Sequence, residues 1–161
     1  AGKLRSIGIS NFNKAEIENL LAHCEITPAL IQVECHPYFP QTELKELLAK
    51  HDIALQSWYP FGGRDNKSIL EEPIVSELAE KYGKTEAQVI MRWHVQQGNI
   101  VIPGSKTPSH IANNIDIFDF ELSDEDMEAM ATLDQGKPFY ERTTEKIAYY
   151  ATWHPDVEGQ K

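Results

Sequence analysis

Between Val101 and Ile111 the sequence VIPGSKTPSHI leaves an apolar run for a glycine, a hydroxyl and an ammonium, then enters Thr107-Pro108. Thr107 is placed as a helix-capping hydroxyl and Pro108 as the N1 proline. A buried strand that opens onto a small basic loop ahead of a helix start suits an anion. The first backbone N–H groups of a helix have no partner inside it, and the helix dipole favours negative charge there. Polar residues stand near the ends of three other apolar runs: Ser10-Asn11, Gln32 to Glu34, and Trp58-Tyr59. Hydroxyl, amide and indole groups orient a ligand by hydrogen bonding and stacking. Turn chemistry accounts for any one of these four sites, but less well for all four together.

Other reactive residues have plainer readings. Cys24, Cys35, His23 and His36 lack CxxC or HxxxH spacing, so no metal site is expected and both thiols are read as free. His36 is read as structural and His94, beside Trp93, as a packed boundary imidazole. Arg92 is read as an ion-pair partner.

The elements that must position these residues alternate. LRSIGIS (Leu4 to Ser10), ALIQVEC, IALQSWY and NIVIP read as four strands. Helices are expected from Asn13, whose capping-box partner is Glu16, over Glu43 to His51, over Ile74 to Tyr82 and over Glu86 to Gln97. Thr85 and Gln88 form a second capping box, and Gly83 and Gly98 occupy C′ positions. Further helices start at Thr107-Pro108 and at Ser123, the latter running to Leu133. Strands each followed by helix imply a parallel α/β sheet with right-handed crossovers. The apolar runs IGIS and IVIP suit strands covered on both faces. Ligands of such folds bind at the carboxyl ends of the strands, where the polar residues stand. Residues 1–136 form this unit, and residues 137–161 form an aromatic, mixed-charge tail without clear period.

A formal charge of −10 over 161 residues argues against nucleic acid or an anionic membrane as partner. No apolar stretch approaches the roughly 20 residues needed to span a bilayer. With no signal-peptide pattern at AGKLRSIGIS, a cytoplasmic location is expected.

GISNF, IQVECHP, SWYPFG, VIPGSKTPSHIANN and FDFELSDEDM, in this order and spacing, resemble the aldo-keto reductases, closest to bacterial diketogulonate-reductase and prostaglandin-synthase-like members. The resemblance implies a TIM (β/α)8 barrel of which this chain is the C-terminal half, strands five to eight. It also implies a reductase that passes hydride from NADPH to an aldehyde or ketone. By resemblance, Ser10, Asn11 and Gln32 hydrogen-bond the nicotinamide carboxamide, and Trp58 stacks on the ring. Pro60, Phe61, Gly62, Gly63 and Asp65 match the loop over the pyrophosphate, where glycines permit close backbone approach. Ser105, Lys106 and Thr107 match the loop that holds the 2′-phosphate, which supplies the anion for the opening motif.

His110 stands where many members carry arginine, and neutral histidine contributes less charge than guanidinium. Asn113 stands where many have glutamate, while Asn114 matches the next asparagine of the family. NADPH is therefore expected to be preferred over NADH by a modest margin. The family's catalytic tyrosine, lysine, aspartate and histidine belong to the other half of the barrel, and no residue here is assigned a catalytic role. The tail matches the segment that lines the substrate pocket; as residues alone, it reads equally as a pocket wall or as a staple under the barrel. Two alternatives stand beside the reductase half. One is a self-associating half-barrel, as a homodimer or paired with an N-terminal half. The other is a non-catalytic NADPH-binding module.

Overall fold

The computed structural model describes residues 2–63 and 68–154. Four strands, β1 (Gly8–Ser10), β2 (Leu30–Glu34), β3 (Ala54–Trp58) and β4 (Ile100–Val101), form one parallel sheet in chain order. Between them lie α1 (Lys14–His23), α2 (Thr42–Ala49), and the pair α3 (Pro73–Tyr82) and α4 (Glu86–Gln96). After β4 come α5 (Pro108–Ile115), α6 (Asp124–Ala131) and, within the tail, α7 (Thr144–Ala151).

Local chemistry sets the helix starts. Asn13 accepts from the Glu16 N–H while the Glu16 side chain accepts from the Asn13 N–H, and Thr85 with Gln88 closes the same reciprocal box. Ser123 and Asp126 form a third box at α6. Gly83, at φ 62°, takes the left-handed position that ends α3, a conformation glycine adopts without Cβ strain.

The sheet has two unlike faces because strand side chains alternate. Ile31, Val33 and Leu55 are buried with Ile17, Cys35, Leu44, Leu48 and Ile53 against α1 and α2. A second cluster under α3, α4 and α6 packs Val75, Leu78, Val89, Ile90, Trp93, Leu122 and Met130. The alternate positions Gln32, Gln56 and Trp58 are only half-buried.

The reading of IGIS and IVIP as strands covered on both faces does not hold. β1 and β4 are the two edges of the sheet, and Ile100 in β4 is exposed, as are Ile7 and Ile102 flanking the two strands. A strand is buried only where a neighbour and a covering layer exist, and these runs have a neighbour on one side alone. All four strands are shorter than the runs from which they were expected.

Candidate functional site

At the carboxyl ends of the strands, Ser10, Gln32 and Gln56 occupy one register row across β1, β2 and β3. Gln32 Nε2 donates to Gln56 Oε1 at 2.7 Å. Sequence reading did not single out Gln56, although its period of two from Trp58 places it on the same face. Asn11 leaves β1 in the left-handed region at φ 58°, and its N–H donates to the Gln32 carbonyl. Its side chain then bridges the sheet: Nδ2 donates to Ser10 Oγ at 3.0 Å, and Oδ1 accepts from Trp58 Nε1–H at 2.9 Å. The outer two of these expected ligand residues, Ser10 and Trp58, are thus joined through Asn11.

The chain after Trp58 turns sharply. Tyr59 also adopts a left-handed φ, 55°, and its ring stands edge-on to Trp58 at 4.5 Å. Pro60 is buried, and Phe61 packs against the larger core cluster. Gly62 and Gly63 have φ of 82° and 96°. A Cβ on Gly62 would lie 2.6 Å from Phe139 Cε2, and one on Gly63 would lie 3.2 Å from the Tyr59 ring. Glycine at these two positions lets rings of the protein itself approach the backbone closely. Asp65 lies outside the described residues.

In the basic loop, Ser105 Oγ accepts from the Thr107 N–H at 3.1 Å. Thr107 is the N-cap of α5 and Pro108 its N1 residue, but the Thr107 hydroxyl makes no capping bond. The expected cap fails for a geometric reason. Its ψ is 119°, whereas Asn13, Thr85 and Ser123, which do cap, have ψ of 173°, 157° and 167°. The first-turn amides of α5 are therefore left without a side-chain acceptor, which fits an anion at that end. Lys106 and His110 are exposed there, and Asn113 and Asn114 are half-buried. Among the described residues no hydrogen bond ties this loop to the Ser10–Asn11–Trp58 group.

At the Gln32 to Glu34 strand end the structure adds contacts that the sequence did not reveal. Glu34, buried at the end of β2, accepts from His36 Nε2 at 3.0 Å, from the Phe139 N–H at 2.6 Å and from the Tyr140 N–H at 3.0 Å. Burial alone would raise its carboxyl pKa, but the His36 bond and the two backbone donors outweigh that and hold it below the ordinary value. Tyr140 thereby meets Trp58 edge-on at 5.5 Å. Further along, Arg142 forks onto Glu16, with Nη1 and Nη2 at 2.9 and 2.8 Å from its two oxygens. The tail thus crosses the carboxyl end of the sheet, the position of a wall rather than of a staple beneath it. A cavity of about 760 Å³ opens there, lined by Asn11, Trp58, Glu34, Gln41, Tyr140 and Arg142 among others. Ser10, Gln32, Ser105 and Lys106 do not line it.

His36 is fully buried. His94 lies deeper than a boundary position: it is 0% exposed, with Nδ1 3.2 Å from Asn99 Nδ2. Burial, then the charge of Lys45, pushes its pKa down to about 3 against an opposing Pro60 backbone contact. Arg92 pairs with Glu121 at 3.7 Å.

Comparison with known proteins adds a lineage to this geometry. Residues 1–135 match the aldo/keto reductase family. An aldo-keto reductase of Mycolicibacterium smegmatis is 48% identical over 136 residues, which is 84% of this chain and 48% of that protein. Methylglyoxal reductase DkgA of Escherichia coli K12 is 40% identical over 136 residues, covering 84% of this chain and 49% of the relative. Among solved structures, an aldo/keto reductase from Brucella melitensis superimposes with a TM-score of 0.77 at 47% identity, over 83% of this chain and 50% of that one. A mutant of Gox0644 in complex with NADPH superimposes with a TM-score of 0.77 at 41% identity, over 83% of this chain and 48% of that one. The chain spans about half the length of the curated relatives it matches.

Proposed function

This chain belongs to the aldo/keto reductase family, and on that premise we propose that it is the cofactor-binding C-terminal half of an NADPH-dependent carbonyl reductase. The observation that carries the proposal is the Ser10–Asn11–Trp58 group at the carboxyl ends of the strands, with Asn11 and Trp58 facing the large cavity. When bound, a nicotinamide cofactor supplies hydride to a carbonyl carbon. The work of this chain is to bind and orient it. Trp58 offers a flat face on which one side of a ring stacks, and stacking selects the opposite face for reaction. Asn11 and Ser10 offer an amide and a hydroxyl to a carboxamide, and Gln32 lies one strand away in the same register row. At the far end, Ser105, Lys106, Thr107 and the uncapped amides of α5 suit a 2′-phosphate, with His110 and Asn114 following on the helix. Pro60, Phe61, Gly63 and Asp65 are the stretch of chain proposed to lie along the pyrophosphate.

No proton donor for the carbonyl oxygen is assigned to this chain, so binding without turnover is the expected behaviour of the chain alone. The test is a titration with NADPH followed by tryptophan emission. Quenching that saturates, and that is lost in Trp58→Leu, supports the proposal. Unchanged emission and an unchanged melting temperature at millimolar NADPH would refute it.

A second reading has its own support. The exposed isoleucines in and beside β1 and β4 border two unpaired strand edges, which suits self-association or pairing with an N-terminal half. Light scattering that returns a dimer mass, with no thermal shift on adding NADPH, would favour it.

A further inference from the structure

Three N–H donors from two segments of the chain converge on one buried side chain: His36 Nε2 and the backbone amides of Phe139 and Tyr140, all on the carboxylate of Glu34. The two amides lie 105 and 106 residues away in sequence. An ionised carboxylate is the side chain suited to this task, because it accepts at both oxygens and donates nothing. Glutamine in its place would turn an NH₂ group toward an amide N–H, donor against donor. Of the Glu34 side chain, only 5% is exposed, so water is poorly placed to substitute for a lost acceptor.

What the clamp holds is a wall. The two amides belong to adjacent residues whose rings serve different ends. The Phe139 ring fills the space that Gly62 leaves and lies 4.8 Å from the His36 ring. The Tyr140 ring stands at 77° to Trp58 and lines the same cavity. On either side the segment is tied again, by the Gln135 N–H on the Tyr38 carbonyl and by Arg142 on Glu16. Glu34 is the innermost of these ties and the one nearest Trp58 along the tail, since it holds the Tyr140 backbone itself.

We infer that Glu34 is a positioning residue: its carboxylate holds the Phe139–Tyr140 segment of the tail against Trp58 and so sets the wall of the cavity in which a flat ring would stack. That the stacked ring is a nicotinamide rests on the function proposed above; the clamp does not.

The test compares the chain with Glu34→Gln by amide hydrogen exchange, residue by residue, and by NADPH titration. The Phe139 and Tyr140 amides should exchange at least tenfold faster in the variant, while those of Ile31 and Val33 in β2 keep their rates. NADPH affinity should fall severalfold with the melting temperature of the core little changed. Glu34→Asp keeps the charge but withdraws the acceptor by one methylene, so intermediate exchange rates are expected; it also carries the readout should Glu34→Gln not fold. Equal exchange at Phe139 and Tyr140 in wild type and variants would overturn the clamp. Faster exchange with unaltered NADPH affinity would overturn its role in setting the wall. If NADPH fails to bind even the unsubstituted chain, the cofactor reading falls while the exchange measurement still judges Glu34.

Discussion

His94 makes the stability of this chain depend on pH between its unfolded value of 6.5 and about 3. The imidazole is completely buried on α4, and its pKa is lowered from 6.5 to about 3, by burial first and by the nearby positive Lys45 second. In the unfolded chain the ring takes up a proton as pH falls through 6.5, whereas in the folded chain it stays neutral down to about 3. The unfolded state therefore binds more protons throughout that interval, and stability falls as pH falls. The full stabilisation is present above pH 6.5 and is lost progressively toward pH 3. At about 1.4 kcal/mol per pH unit below the unfolded pKa, the loss between about pH 7 and about pH 5 amounts to ~2 kcal/mol. Glu34 and the other carboxylates with lowered pKa lose stability only at lower pH, in the carboxylate range, and so do not contaminate this interval. Urea denaturation of wild type and His94→Gln at both pH values isolates the effect, because the remaining histidines are common to both chains. The variant should start less stable and lose about 2 kcal/mol less on acidification than wild type does. Parallel pH dependence in the two chains would refute the reasoning, as would an NMR titration showing the His94 ring protonating near neutrality.

Two further substitutions probe the site. Gly62→Ala places a Cβ at a φ of 82° and 2.6 Å from Phe139 Cε2. The left-handed strain alone costs about 1–2 kcal/mol, and the ring must also move, so the denaturation midpoint should drop and exchange at Tyr140 should quicken. Lys106→Ala should weaken NADPH by about tenfold, ~1.4 kcal/mol, while leaving NADH nearly unchanged, as measured by titration at constant ionic strength.

Much of this architecture is legible in the residues because it is set locally. Asn13 with Glu16 and Thr85 with Gln88 announce their helices through spacing alone, and both boxes close as read. The order of strands follows from alternation with helices, and the parallel sheet from that order. What was missed depends on contacts that spacing does not encode. α7 lies in the tail with no buried residue, so no burial imposes the apolar period that would mark it; only its cap, Thr143 accepting from the Lys146 N–H, is local. Glu34 stands among the polar strand-end residues, but its partners are not legible there, because two of them are backbone amides, which every residue carries, on a segment distant in sequence. Thr107 carried the right residue type for a cap, but the backbone angle that decides the bond is not written in the side chain.

The left-handed turn at Tyr59 has a thermodynamic consequence for whatever docks on its neighbour. Glycine would enter that conformation without penalty, yet the position carries a bulky aromatic at a cost of about 1–2 kcal/mol. In exchange the phenol ring wedges between Gly63 and the indole of Trp58, restricting the rotamers that the indole can visit. A planar guest then meets a surface whose disorder was removed during folding, so less entropy is forfeited on association and more of the contact energy survives as affinity.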